Sequence, residues 1–171
     1  CMGLGLFAQG AELADLSAVR AHGNTASGGP MGSVFLRYGG DVVLDEVEIY
    51  DEVIDGSASI YGGGAAALFI WPARHDSNGV PISTVLVEDL YIHDNVAVGG
   101  GALNASAAFY EIGALEVHRA RVINNSLEAV DECKVPGIWV DDSVSARFTN
   151  LEIVGNRCSG RLALAGAFAH A

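Results

Sequence analysis

Five segments of the chain repeat one pattern of apolar and polar positions. In each, four apolar residues occupy the first, third, sixth and eighth places of an eight-residue unit, at 14–21, 42–49, 85–92, 115–122 and 146–153. The twenty positions run from Ala14, Leu16, Val19 and Ala21 to Ala146, Phe148, Leu151 and Ile153, and every one is apolar. Alternation at period two predicts strands with one buried face. Between the third and sixth places lies a two-residue step, such as Asp45-Glu46, Glu88-Asp89 or His118-Arg119, that shifts the phase of the alternation. A phase shift with no turn residue predicts a bend, where one strand passes into the next.

Three places beyond each unit stands a polar residue: Asn24, Glu52, Asn95, Asn125 and Asn156. The intervals between them are 28, 43, 30 and 31 residues. Self-similarity near thirty residues, carried by short strands, marks a solenoid. The Leu-x-x-Leu-x-Leu pattern of leucine-rich repeats and the 3.6-residue spacing of helical repeats are both missing, which leaves a coil of three short strands per turn. The third strand of each coil is expected at 33–36, 67–70, 103–108, 138–140 and 162–164, after glycine corners at 28–29, 62–64, 99–101, 137 and 160. Insertions at 72–82 and 126–136 lengthen two coils and should project as loops.

The outward positions test this stacking. Neighbouring coils lie about 4.8 Å apart, so residues in one column face each other. The alignment sets Arg20 beside Glu48, Glu88 beside His118, Asp89 beside Arg119, Glu116 beside Arg147, and Arg121 beside Glu152. Five complementary pairs support the register, since opposite charges across strands attract.

Composition agrees with a single domain spanning all 171 residues. Half the residues are hydrophobic, 18% are charged and 22 are glycine, a mixture suited to short strands and tight corners. No apolar run reaches the roughly 18 residues of a membrane span. The net charge of −12 argues against nucleic acid, whose binders carry a basic face. It fits a soluble acidic surface or a cation-binding one. Of three cysteines, Cys133 and Cys158 fall in adjacent coils and are candidates for a disulfide; two unpaired small residues is the alternative.

The Asn corners (IHDN at 92–95, IVGN at 153–156), GGGA at 99–102 and the thirty-residue period resemble right-handed parallel β-helices of the pectate-lyase-like superfamily. Within that group the chain looks closest to bacterial surface β-helices, including polymorphic outer-membrane protein repeats. The resemblance covers about residues 11–165. It implies an all-β, right-handed parallel β-helix of about five coils. It also implies an extracellular or cell-surface role as a shaft or adhesive module, with a carbohydrate or surface-protein partner. GGA occurs cleanly only once, and Ile, Val or Ala replaces the aromatic of the FxxN signature.

Enzymes of this fold class set the alternative, a polysaccharide lyase or hydrolase. Glycoside hydrolysis needs two carboxylates flanking the scissile bond. Asp141 and Asp142 are the candidates, although the NTD, GHG and RIK motifs of galacturonan hydrolases are absent. Phe69, Trp71, Tyr110 and Trp139 are candidate ligand-stacking residues if their stripe is exposed; the inserted loops covering them is the competing reading. Asp51, Glu52 and Asp94 are candidate oxygen ligands for Ca2+, against a solvated acidic face bridged by Arg119. The five histidines form no ligand pair and are read as surface residues. The Asn column is read as structural, each amide bonding the corner backbone. Apolar sequence at 162–171 suggests an unsealed end, hence coils of a longer solenoid or copies stacked end to end as a homo-oligomer.

Overall fold

A computed structural model describes residues 5–27, 33–37, 39–56, 67–99, 106–129, 132–133, 135–159, 162–163 and 168–169. Each coil runs through three parallel sheets, and Glu132–Cys133 pairs with Leu162–Ala163 in a further two-stranded sheet, so 162–163 do not join the third sheet as expected. The broad sheet stacks Leu13–Ser17 with Arg20–His22, then Asp41–Tyr50, Thr84–His93, Ala114–His118 with Arg121–Ile123, and Ser145–Thr149 with Glu152–Val154. The corner sheet stacks Thr25–Ser27, Val53–Gly56, Val96–Gly99, Ser126–Ala129 and Arg157–Ser159. The third sheet stacks Leu6–Gln9, Val34–Arg37, Leu68–Trp71, Ala107–Tyr110, Ile138–Asp141 and Phe168–Ala169. Among the described residues there is no helix, and so none long and apolar enough to cross a membrane. The chain is a parallel β-solenoid of about four turns. The sequence count of five coils counted stacked levels, of which the broad sheet has five.

The register is the one the sequence columns require. Val42 sits on Val85, Leu44 on Val87, Val47 on Leu90 and Ile49 on Ile92. Arg20 pairs with Glu48, His118 with Glu88, Glu116 with Arg147, and Arg121 with Glu152. The twelve apolar positions of the three inner levels are all buried and form the centre of one core cluster. Strand 107–110 lies a few residues later than the 103–108 expected, and 103–105 lie outside the described residues. The glycine runs at 28–29, 62–64 and 100–101 and Gly160 also lie outside them.

The two-residue step is a bend of one repeated conformation. Its second residue is left-handed at every level: Ala18, Glu46, Asp89, Arg119 and Asn150 have φ of 54°, 52°, 52°, 55° and 54°. A single left-handed residue turns the strand and restores the inward phase, so Val19, Val47, Leu90, Ala120 and Leu151 face the core again. A second left-handed column precedes the polar corner, at Gly23, Asp51, Asp94, Asn124 and Gly155. Gly, Asp and Asn are the residues that tolerate this conformation best.

At that corner the polar column forms a directional ladder inside the coil. Asn95 donates through its side-chain amide to Asn125 Oδ1 at 2.8 Å, and its backbone N–H reaches the same oxygen at 3.2 Å. Asn125 repeats both bonds to Asn156 Oδ1, at 2.8 and 2.9 Å. Each amide also donates backward to a carbonyl of the preceding level: Asn95 to Ile49, Asn125 to Ile92 and Asn156 to Val122, at 3.0, 3.1 and 2.6 Å. Glu52 occupies the column with acceptors only. It receives Asn24 Nδ2 at 2.8 Å and the Ser33 hydroxyl, and its backbone N–H donates to Asn95 Oδ1 at 3.1 Å.

Two stability predictions follow from these corners. Asn95→Ala strips the acceptor from the Glu52 N–H and a donor from the Ile49 carbonyl, both inside the coil. Since an unsatisfied buried group costs about 1–3 kcal/mol, urea unfolding should show a loss of about 2–4 kcal/mol. Ala18→Gly relieves an alanine held left-handed, worth about 1–2 kcal/mol, against an unfolded-state entropy term of about 0.4–1 kcal/mol. The unfolding midpoint of Ala18→Gly should therefore rise.

Candidate functional site

The outer face of the broad sheet carries the residues that point away from the core. Because coils stack in register, like positions meet ring on ring. His22 stacks on Tyr50 with centroids 4.9 Å apart and planes 10° from parallel. Tyr50 stacks on His93 at 5.0 Å and 3°. Tyr91, two residues before His93 on the same strand, packs its ring on the imidazole at 4.0 Å. The Arg121 guanidinium lies 4.9 Å over the Tyr91 ring. Four rings and a cation thus form one continuous strip over four coils.

Charged side chains fix this strip. His93 Nδ1 meets Asp94 Oδ2 at 2.8 Å and Nε2 faces Glu48 Oε1 at 3.5 Å. Glu48 is bridged on its other side by Arg20 at 3.0 Å. An open groove of about 550 Å³ runs along the bend, lined by Arg20, Glu46, Glu48, Asp89 and Tyr91. Arg119 closes the row below, bonding Asp89 at 2.7 Å and Glu88 at 3.5 Å. This confirms the expected Asp89–Arg119 match. It also gives Glu88 to Arg119, while His118 bonds the Thr149 hydroxyl and reaches Glu116 at 3.4 Å. The Arg119 guanidinium holds the Asp89 carboxyl below its ordinary value, and Asp89 in turn raises Arg119.

The expected calcium ligands do not converge. Glu52 is fully buried and spends both carboxylate oxygens on Asn24 and Ser33, inside the coil. Asp51 and Asp94 are exposed, and Asp94 is engaged by His93. The alternation decides this: the residue after a left-handed corner turns inward, so Asp51 and Glu52 face opposite sides. Among the described residues, no group of three or more His, Cys, Asp or Glu is arranged to hold a metal.

The aromatic stripe is covered rather than exposed. Phe69 and Trp139 are 8% and 7% exposed and cluster with Phe35, Ala108 and Val135. Both point away from the coil interior, as their spacing requires, but Val135 packs against them. The 126–136 segment does not project as the loop expected, since 126–129 form the corner strand of their coil and 132–133 pair with 162–163. Trp71 and Tyr110 are half-buried at the margin; Arg37 lies 5.1 Å over Trp71, and Tyr110 stacks on Phe69 at 5.2 Å. On the broad sheet His22 is exposed, and Tyr50, Tyr91 and His93 are half-buried with their edges outward. The column order His22, Tyr50, His93 was present in the sequence and is the signal that finds them.

The inserted loop 72–82 folds back through an antiparallel bridge of His75 and Pro81. Asp76 anchors its turn, accepting Asn78 N–H at 2.8 Å and Val80 N–H at 2.9 Å, and these bonds lower its carboxyl below the ordinary value. Beneath the loop lies an open cleft of about 430 Å³ lined by His75, Glu111, Asp142 and Ser143. His75 Nε2 is 3.4 Å from Glu111 Oε2. Asp142 lines this cleft from a left-handed corner; Asp141, at the end of the third sheet, does not. The expected pair is thus split, and His75 and Glu111 take the second place.

Cys158 is disulfide-bonded. It sits on Leu127 in the corner sheet, and the side chain of Cys133 lies outside the described residues. Compared with known proteins, the chain matches no family model, no curated protein and no solved structure.

The two shifted aspartates give a pH prediction with a fixed sign. A carboxyl lowered in the folded state stabilises above its unfolded value of 3.8 and loses that contribution as pH falls through the lowered one. NMR titration should find Asp76 and Asp89 protonating below 3.8, and Arg119→Gln should return Asp89 toward it while leaving Asp76 unmoved.

Proposed function

We propose that this chain is a non-catalytic extracellular or cell-surface β-solenoid, a rigid shaft that also adheres to a partner along its broad sheet. The observation that carries the reading is the ring strip beside a charged groove. The stacked rings present their edges and the Tyr50 and Tyr91 hydroxyls, and with the fixed Arg and carboxylate groups these suit a hydroxyl-rich ligand such as a glycan, whose hydroxyls they bond. The disulfide at Cys158 supports an oxidising location, where such bonds persist.

The test is binding of neutral and acidic oligosaccharides by calorimetry, with Tyr50→Ala and Tyr91→Ala as variants. Hydrogen bonds worth about 0.5–1.5 kcal/mol each should make each variant bind about threefold to tenfold more weakly. Unchanged affinity in the double variant, with an unchanged circular dichroism spectrum, removes the groove from the reading.

A second reading rests on the His75, Glu111 and Asp142 cleft. A carboxylate beside an imidazole, under an inserted loop, is an arrangement suited to acid–base cleavage of a polysaccharide. The decisive assay is polyuronide cleavage: activity abolished by Asp142→Asn supports an enzyme, and an inactive parent chain ends that reading.

A further inference from the structure

The two edges of the broad sheet are complementary to each other, and we propose that they dock a second copy of this chain head to tail. The inference rests on the fold and is independent of any ligand in the groove. On one edge Ala14, Leu16 and Val19 are only partly covered, and on the other so are Phe148, Leu151 and Ile153; the same columns are fully buried in the inner levels. Docking that continues the register sets Leu16 on Phe148, Val19 on Leu151 and Ala21 on Ile153, extending the core without a break.

Every outward column that carries charge on both edges then meets its opposite. Asp15, whose neighbour within its own chain is the uncharged Val43, falls on Arg147 of the other copy. Arg20, already bridged to Glu48, falls on Glu152, which Arg121 holds at 2.7 Å. The result is an unbroken alternating row of Arg121, Glu152, Arg20 and Glu48. Among the described residues of the broad sheet, no like charges meet. The polar corner is complementary too: the ladder donates from each level to the amide oxygen of the next, so the Asn156 amide of one copy faces Asn24 Oδ1 of the other.

The third sheet adds one condition. Phe168–Ala169 lies on Trp139 and Val140, at the level that an incoming Leu6–Gln9 would take. Phe7 and Ala8 occupy the same two columns as Phe168 and Ala169, through their pairing with Phe35 and Leu36. The incoming strand therefore offers the same residue pair as the one it displaces, and the exchange conserves the pairing with Trp139 and Val140.

Head-to-tail contacts do not close, so the assembly grows. Sedimentation equilibrium of the full chain should give an average mass that rises past the dimer with concentration. Asp15→Arg sets like charges together across the joint and nowhere else. A cross-strand pair is worth up to about 1 kcal/mol, so this variant should need about threefold to tenfold more protein for the same mass. Asp15→Arg combined with Arg147→Glu should restore assembly, with folding of both checked by circular dichroism. A monomer at all concentrations, a plateau at the dimer, or indifference to Asp15→Arg overturns the proposal.

Discussion

Everything in this molecule depends on parallel pairing in strict register between successive coils. A residue's nearest neighbour outside its own strand is the residue one coil away in the same column, about 4.8 Å off. That single spacing decides what each side chain can do. Apolar columns become a continuous core, from Val42, Val85 and Leu115 to Ile49, Ile92 and Val122. Ring columns become stacks at van der Waals distance, as at Tyr50 and His93. Charge columns must alternate in sign or be bridged, and the acidic run of Glu88 and Asp89 is bridged by Arg119. The solenoid therefore turns sequence repetition directly into chemistry on its surface.

Repetition also limits where specific function can reside. A site needs unlike groups brought together, whereas a perfect repeat brings like groups together. The unlike groups here arise where the repeat is broken. Tyr91 departs from the charge column of Arg20, Glu48, Arg121 and Glu152, and so places a ring beside carboxylates and under a guanidinium. The 72–82 insertion departs from coil length and brings His75 over Glu111 and Asp142. Glu52 departs from the Asn column, and its effect is internal: with no amide to donate, it takes Ser33 as a second donor and ties the corner to the start of the third sheet.

The fold was legible because its determinants are periodic. Twenty apolar positions and five charge pairs overdetermine one register, and no tertiary accident is needed to read it. The corner column of Gly23, Asp51, Asp94, Asn124 and Gly155 was equally legible, since each residue tolerates positive φ. The bend was legible from the phase shift, but its left-handed residue was not, since Ala18, Glu46 and Arg119 have no preference for positive φ. The candidate site was harder still. Inward and outward facing can be read from phase, which placed Trp139 outside the coil; burial cannot, because Val135 packs against it from the connection before its strand, whose path no period predicts. The placing of Asp51, Glu52 and Asp94 as one ligand set met the same kind of obstacle. Treating Asp51 and Glu52 as neighbours on one face ignored the left-handed corner between them, which sends Glu52 inside.

The hydrogen-bond ladder adds a property that apolar stacking alone lacks, which is direction. Core columns are indifferent to polarity, since leucine packs on leucine from either side. The Asn column is not, because each level presents an amide oxygen to one neighbour and N–H groups to the other. Backbone pairing in the parallel sheets has no such direction: Glu48 N–H donates back to Val19 and Glu152 to Ala120, while Ala18 N–H donates forward to Asp45 and Arg119 to Thr149. The Asn column thus makes the two faces of any level chemically different. Two like edges brought together would set donors against donors at Asn156, or acceptors against acceptors at Asn24, a mismatch that buries unsatisfied groups. An edge of this solenoid therefore discriminates by polarity before it discriminates by charge, and opposite edges are the ones that fit.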